Sequence, residues 1–229
     1  MRVLLTGFRD TNSKARAILE SYSAEVIDFP LQEMQLIPGS IKLLGKSDWV
    51  IFTSPTAARL YMQHLYPLNH FDKAACVGPS TAEALEGDYG RACSLLPETN
   101  FSASSLAKII VENKKQFVDK KILFPCSKLA KNDLVNLLAE NGISIQRHDF
   151  YLPERNQIAS IPNFDAICFF SSSAVEAYFS LKNSKDLAGK KVSLIGESTA
   201  VTFRQYSDLP FVLAKEANAE ETAKVLFTN

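Results

Sequence analysis

The chain has 229 residues, 46% of them apolar and 22% charged, which excludes a disordered or low-complexity protein and leaves room for one large domain or two of about 110 residues. Lys and Arg number 25 and so do Asp and Glu, so the whole-molecule field draws in neither nucleic acid nor a membrane surface. An anionic ligand would have to be held by local donors.

In chain order, short β-branched or aromatic runs alternate with amphipathic stretches, the pattern of βα units in parallel sheets. The opening MRVLLTGF has too short an apolar run for a signal peptide, and no stretch reaches the length of a membrane span, so a cytoplasmic protein is expected. Strands are predicted at Val3–Thr6, Glu25–Phe29, Trp49–Thr53, Ala74–Val77, Ala92–Leu95, Ile122–Phe124, Ser144–Phe150, Ala166–Phe170, Val192–Ile195 and Phe211–Leu213. Helical faces lie between them, marked by Ile18 with Tyr22, Leu106 with Ile109 and Ile110, and Leu134 with Leu137 and Leu138. Ser54 before Pro55 is an N-cap with proline at the first helical position. Gly142 after Asn141 is a C-terminal stop for a helix beginning near Leu129. Two proline-bearing stretches, 30–40 and 151–162, fit neither pattern and read as linkers.

The chain also repeats itself. DWVIFTSPTAARLY from Asp48 returns 117 positions later as DAICFFSSSAVEAY from Asp165, and AACVGPSTA returns as VSLIGESTA. RVLLTG at Arg2 pairs with KILFPC at Lys121, and SASSLAKII pairs with NAEETAKVL. A period this long means duplicated domains rather than a solenoid. The expected fold is α/β: two similar lobes, each a flavodoxin-like parallel sheet of about five strands flanked by helices, joined by a two-stranded linker. Because two linkers are present, the first lobe is expected to be discontinuous (1–33 and 155–229), the second to span 37–150, and the linkers to lie at about 31–38 and 150–157. Function is then expected where the two lobes meet.

In open α/β sheets ligands bind beyond the carboxyl ends of the strands. The turns there read TGFRD, FTSPT, VGPST, FPCSK, FFSSS and IGEST. Glycine and hydroxylated residues at helix N-termini bind carboxylates or phosphates through N–H and O–H donors, although each Ser or Thr also serves as an N-cap. No GxGxxG, no GxxxxGK[ST], no Ser-His-Asp arrangement and no paired carboxylates stand in these turns. Cys76, Cys93, Cys126 and Cys168 match no metal or redox spacing, and His64, His70 and His148 are unclustered, so no metal is expected. Among the thiols, Cys126 has a case for reactivity, since a helix starting just after it would lower its pKa; a structural role is the favoured reading.

The ordered set FTSPTA, VGPSTA, FPCSK with a strand running into Tyr151, FFSSSAVEAY and IGESTA resembles the uroporphyrinogen-III synthase family over nearly the whole chain. The resemblance implies a monomeric, cofactor-free enzyme whose partner is a small molecule, a linear tetrapyrrole polycarboxylate. It would close hydroxymethylbilane to uroporphyrinogen III with loss of water and inversion of ring D. Position by position it implies catalytic roles for Tyr151 and Thr199, either of which would help the hydroxyl depart, and substrate contacts from Thr6, Thr53, Ser54, Ser80, Thr81, Ser127, Ser171, Ser172, Ser173 and Ser198. Tyr151 has a rival role as an aromatic that packs the linker. Departures from the family pattern are Gly7 and Phe8, where an Arg-Pro pair is common and Arg9 could substitute, the absence of a glycine in SYSAEV before the second strand, Thr56 in place of a basic residue, and Glu197 in the second glycine turn. The alternative is a two-lobed protein that binds or senses a small anion without catalysis.

Overall fold

Two five-stranded sheets account for the strands of the computed structural model, which describes residues 1–156, 158, 160–181 and 184–228. The chain divides into two compact units, Met1–Glu33 with Pro153–Asn229, and Met34–Leu152.

In the first unit the strands are β1 (Arg2–Leu5), β2 (Glu25–Asp28), β8 (Ala166–Phe169), β9 (Lys191–Leu194) and β10 (Val212–Leu213), in the order β10-β9-β8-β1-β2. The ladders between them are parallel, with Val3 opposite Ala166 and Ala166 opposite Lys191. Successive side chains of a strand point to opposite faces, so β1 sends Val3 and Leu5 one way and Leu4 the other. Val3, Leu5, Ala166 and Cys168 pack with Ala15 and Leu19 of α1 (Arg9–Ser21) and Ala219 and Ala223 of α8 (Ala219–Lys224). Leu4, Ile167 and Phe169 pack on the opposite side with Val175 and Tyr178 of α6 (Ser172–Leu181) and Phe203 of α7 (Glu197–Arg204). Helices on both faces explain why these strands are continuous apolar runs rather than alternating ones.

In the second unit the order is β3-β7-β6-β4-β5, from β3 (Gln32–Leu36), β4 (Ser47–Phe52), β5 (Phe71–Cys76), β6 (Ile122–Ser127) and β7 (Gln146–Arg155). The helices are α2 (Pro55–Leu60), which continues into a π-helical turn at Tyr61–Leu65, α3 (Pro79–Tyr89), α4 (Ala103–Glu112) and α5 (Asp133–Glu140). Val50, Phe52 and Leu123 face Ala57, Tyr61 and Leu85, while Trp49, Ile51 and Phe124 face Leu106, Ile110 and Leu134. Ser54 caps α2 by accepting from the Ala57 N–H at 3.0 Å.

The repeat appears as shared geometry. Asp165 accepts the Arg2 N–H at 2.7 Å and Asp48 accepts the Lys121 N–H at 2.8 Å, each carboxylate satisfying the first donor of the strand beside it. Ser171 caps its turn through the Ala174 N–H as Ser54 does, and Asn218 caps α8 as Ser102 caps α4. The order of elements is permuted: β6 and β7 stand in the second unit where β1 and β2 stand in the first, and β4 and β5 where β8 and β9 stand.

Two expectations about elements, the strand at Ala92–Leu95 and the end of the strand at Phe150, need correction, and the two-stranded linker gains definite bounds. Ala92–Leu95 forms no strand, only a bridge between Leu95 and Ala75, because the Ser94 and Leu95 N–H groups both turn to the Ala74 carbonyl and break the alternation a ladder needs. The stretch 30–40, read as a linker, contains β3 between Pro30 and Pro38; it lies at a sheet edge, where flanking prolines cost no ladder bonds. Leu31 accepts from Asn156 N–H and Ile37 N–H donates to Phe150, so β3 runs antiparallel to β7. β7 accordingly extends to Arg155, and its Pro153 has no β6 neighbour to miss its N–H, since β6 ends at Ser127 opposite Tyr151. Of the second proline-bearing stretch, Gln157 and Ala159 lie outside the described residues.

The Lys121 N–H holds the Asp48 carboxyl below its ordinary value of 3.8, with Lys120 adding to the effect. A depressed carboxylate contributes stability above its unfolded pKa and loses it as pH falls through the folded value. Asp48→Asn is therefore expected to lower the melting temperature at pH 7, and the gap from the parent should close as pH drops well below about 4. A gap that persists at pH 2 would show that the carboxylate's charge contributes nothing.

Candidate active site

The sequence-selected residues fall at the carboxyl ends of the parallel strands in both units. In the first unit Thr6 follows β1; Ser171, Ser172 and Ser173 follow β8; Ser198 and Thr199 open α7 after β9. Thr6 is buried and spends its hydroxyl on the Cys168 carbonyl at 2.7 Å, tying the ends of β1 and β8 together. Ser171 Oγ accepts the Ala174 N–H and lies 3.1 Å from Ser173 Oγ. Ser172 Oγ donates to the Ser198 carbonyl at 3.0 Å, and Ser173 Oγ to Gln32 Oε1 at 2.8 Å. Thr199 is buried in the first turn of α7, its N–H bonded to Gly196 O, while Ser198 and Glu197 are exposed.

A small cavity of about 60 Å³ lies among these groups, lined by Thr6, Gly7, Thr11, Gln32, Phe170 and Ser171 among others. It sits where β1 meets β8, the point at which the strand order reverses direction and open α/β sheets take ligands. Gly7 is needed there: a Cβ would fall 2.8 Å from the Phe170 ring and 2.9 Å from Asn12 Oδ1. Asn12 is buried, its amide N–H reaching Leu5 O at 3.3 Å and its Oδ1 left without a partner. Sequence reasoning missed Asn12 and Gln32. Asn12 was legible as a polar residue on the inner face of α1, three and seven positions before Ala15 and Leu19.

In the second unit Thr53 and Ser54 follow β4, Ser80 and Thr81 open α3 after β5, Ser127 ends β6, and Tyr151 lies in β7 opposite Ser127. Three of these come together. Tyr151 Oη is 3.5 Å from Ser54 Oγ, and the Tyr151 carbonyl accepts the Lys128 N–H at 2.9 Å. Burial pushes the Tyr151 phenol above its ordinary pKa, opposed by hydrogen bonds from Ser54 and from the Ser127 N–H. At neutral pH it is an O–H donor. Ser80 is exposed and Thr53 half-buried, and Thr81 is fully buried with its hydroxyl unpartnered. Gly78, which precedes α3, carries Phe101 against it: a Cβ there would come 2.9 Å from the Phe101 Cβ.

For Cys126 the structure takes away the case for reactivity and leaves the structural role favoured from the sequence. α5 begins at Asp133, so no helix N-terminus faces Cys126, and burial pushes its thiol up to about 12. The lowered thiol is instead Cys93, brought down chiefly by a hydrogen bond from Cys76, whose own value rises. Among the described residues no group of three His, Cys, Asp or Glu could hold a metal, and no helix is long and apolar enough to cross a membrane.

A model of the family described as uroporphyrinogen-III synthase HemD matches residues 13–224. The chloroplastic uroporphyrinogen-III synthase of Oryza sativa subsp. japonica is 25% identical over 219 residues, covering 89% of this chain and 72% of the relative. A porphyrin biosynthesis protein HemD of Ruminiclostridium josui is 24% identical over 241 residues, covering 96% of this chain but 46% of the relative, so the chain spans about half that protein's length. The crystal structure of uroporphyrinogen-III synthetase from Helicobacter pylori 26695 shares the fold, with a TM-score of 0.66 at 16% identity over 100% of this chain and 99% of that one. With its family model matched over nearly all of its length, the chain belongs to the uroporphyrinogen-III synthase family.

Proposed function

We propose that this protein is a uroporphyrinogen-III synthase, a lyase that closes hydroxymethylbilane to uroporphyrinogen III with loss of water and inversion of ring D. The family match over residues 13–224 carries the reading. The substrate's own pyrrole nitrogen can expel its hydroxyl, so the protein need not supply a strong acid or base; its work is to fold the linear chain so that the substituted ring carbon attacks first, which is catalysis by proximity and orientation.

Tyr151, kept protonated by burial and flanked by Ser54, is the group we assign to the departing hydroxyl, with Thr199 as a second donor. Hydroxyls and backbone N–H groups at strand ends suit a polycarboxylate, because charge-assisted bonds to such donors are strong and need no countercharge at each contact. Thr6, Thr53, Ser54, Ser80, Thr81, Ser127, Ser171, Ser172, Ser173 and Ser198 are the substrate contacts in this reading. The protein would work as a cytoplasmic monomer without a cofactor.

Incubation with freshly prepared hydroxymethylbilane and separation of the product isomers tests the activity: isomer III is expected, and isomer I alone at the spontaneous rate would return the chain to a binding or sensing role. Tyr151→Phe is expected to slow isomer III formation by roughly tenfold to a hundredfold with the thermal transition little changed. Unchanged kinetics would remove Tyr151 from the chemistry. Because the Thr81 hydroxyl is buried without a partner, Thr81→Val should leave unfolding free energy unchanged or raise it by up to about 1 kcal/mol. A loss of stability in urea denaturation would show that the fold itself uses the hydroxyl.

A further inference from the structure

β7 runs QRHDFY into Tyr151, and alternation along the strand puts Arg147 and Asp149 on one side and the buried His148 and Phe150 on the other. Opposite them β6 ends irregularly: Cys126 pairs with Asp149, the register shifts, and Ser127 pairs with Tyr151. The segment 128–132 that follows precedes α5 and packs on the core through Ala130 alone of its apolar residues, with Leu129 at 70% exposure. Its tethers are polar. Ser127 accepts the Leu129 N–H with its hydroxyl at 3.2 Å and the Ala130 N–H with its carbonyl at 2.9 Å, and Lys128 N–H reaches back to Tyr151 O at 2.9 Å.

The Arg147 guanidinium spans the whole segment. Its Nε donates to Asp149 Oδ1 at 2.8 Å and its Nη1 to Asn132 Oδ1 at 2.5 Å, while Nη2 lies 3.4 and 3.5 Å from the Ser127 and Lys128 carbonyls. Five N–H groups in a rigid fork make this possible; a lysine ammonium, a point charge, cannot reach both ends of the turn at once. The ion pair with Asp149 is 20% and 39% exposed, and pairs so open to water add little to stability. The geometry therefore suits placing the turn better than holding the fold together.

We propose that Arg147 is a positioning residue for the reaction, gripping the Ser127–Asn132 turn so that Tyr151 is seated against Ser54. The inference rests on the role given above to Tyr151, which Arg147 does not touch.

Two measurements test it. Hydrogen exchange by NMR follows the turn without substrate: in Arg147→Ala the Ser127 and Lys128 amides should exchange at least about tenfold faster, while Val50 and Ile51 in β4 keep their rates and show the variant to be folded. Arg147→Lys should behave like the alanine variant, and it serves if the alanine variant does not fold. In the isomer assay kcat should fall about tenfold with KM changed less than about twofold, and in a Tyr151→Phe background the same substitution should add less than about twofold. Unchanged exchange at Ser127 and Lys128, full rescue by lysine, or a kcat loss that multiplies with that of Tyr151→Phe would each overturn the proposal. Faster exchange in a protein that forms no isomer III would leave the clamp standing and remove the synthase reading instead.

Discussion

In both units the parallel ladder at the centre of the sheet opens with the same contact, a backbone N–H donated to an aspartate at the start of the neighbouring strand. Asp165 holds Arg2 and Asp48 holds Lys121, and each bond lies in register with the ladder at the centre of its sheet. Those ladders are where the strand order reverses. Once they are fixed, the ends of β1 and β8, and of β6 and β4, are fixed too, and with them the turns that carry the hydroxyl groups. The bonds are individually modest, yet a slip of one residue would turn every apolar side chain of β1 or β6 to the wrong face.

Most of those hydroxyls already have employment at home. Thr6 ties two strand ends, Ser171 and Ser54 cap helical turns, and Ser172 and Ser173 bond across to Ser198 and Gln32. A serine that caps a helix keeps lone pairs, and a bonded turn holds its remaining N–H groups in place, so structural use and ligand binding do not compete. Turns already held by such bonds have fewer groups left to order when a ligand arrives, which reduces the cost that binding would otherwise carry. Thr81 differs, since its buried hydroxyl has no partner, and Tyr151 differs in combining a buried ring with a hydroxyl directed at Ser54.

Strand and helix identity was legible wherever the apolar pattern was long and the caps were strong. The repeat around Asp48 and Asp165, the Ser54-Pro55 cap and the Gly142 stop all appear in the structure as the residues imply. The failures have local causes. Ala92–Leu95 has the composition of a strand, but two N–H groups share one carbonyl there, and composition does not record that. Gln32–Leu36 was expected as part of a two-stranded linker, but its bounds were not legible, since β7 offers it an edge through a contact between residues more than a hundred positions apart. Cys126 depended on where α5 starts, and helix starts are poorly marked when, as at Asn132, no side-chain cap forms. The turn residues of the candidate site could be read from the sequence, and Asn12 was legible from its place on the inner face of α1; Gln32 and Arg147 could not be placed, because each acts through a tertiary hydrogen bond.

The permuted order of the two units has a consequence for how the chain acquires its structure. Residues 34–152 are contiguous and can fold as soon as they exist, with contacts that close within one segment. The unit that begins the chain cannot do so, because β1 waits for β8 and the Arg2–Asp165 bond joins residues 163 positions apart. A flexible loop of that length is only slightly more costly to close than one half as long, about 0.6 kcal/mol for each doubling. Here the intervening chain is a folded unit rather than a random coil, which shortens the effective loop further. During synthesis β1 emerges well before β8, and until β8 arrives the Val3, Leu4 and Leu5 side chains lack the strand that helps to bury them.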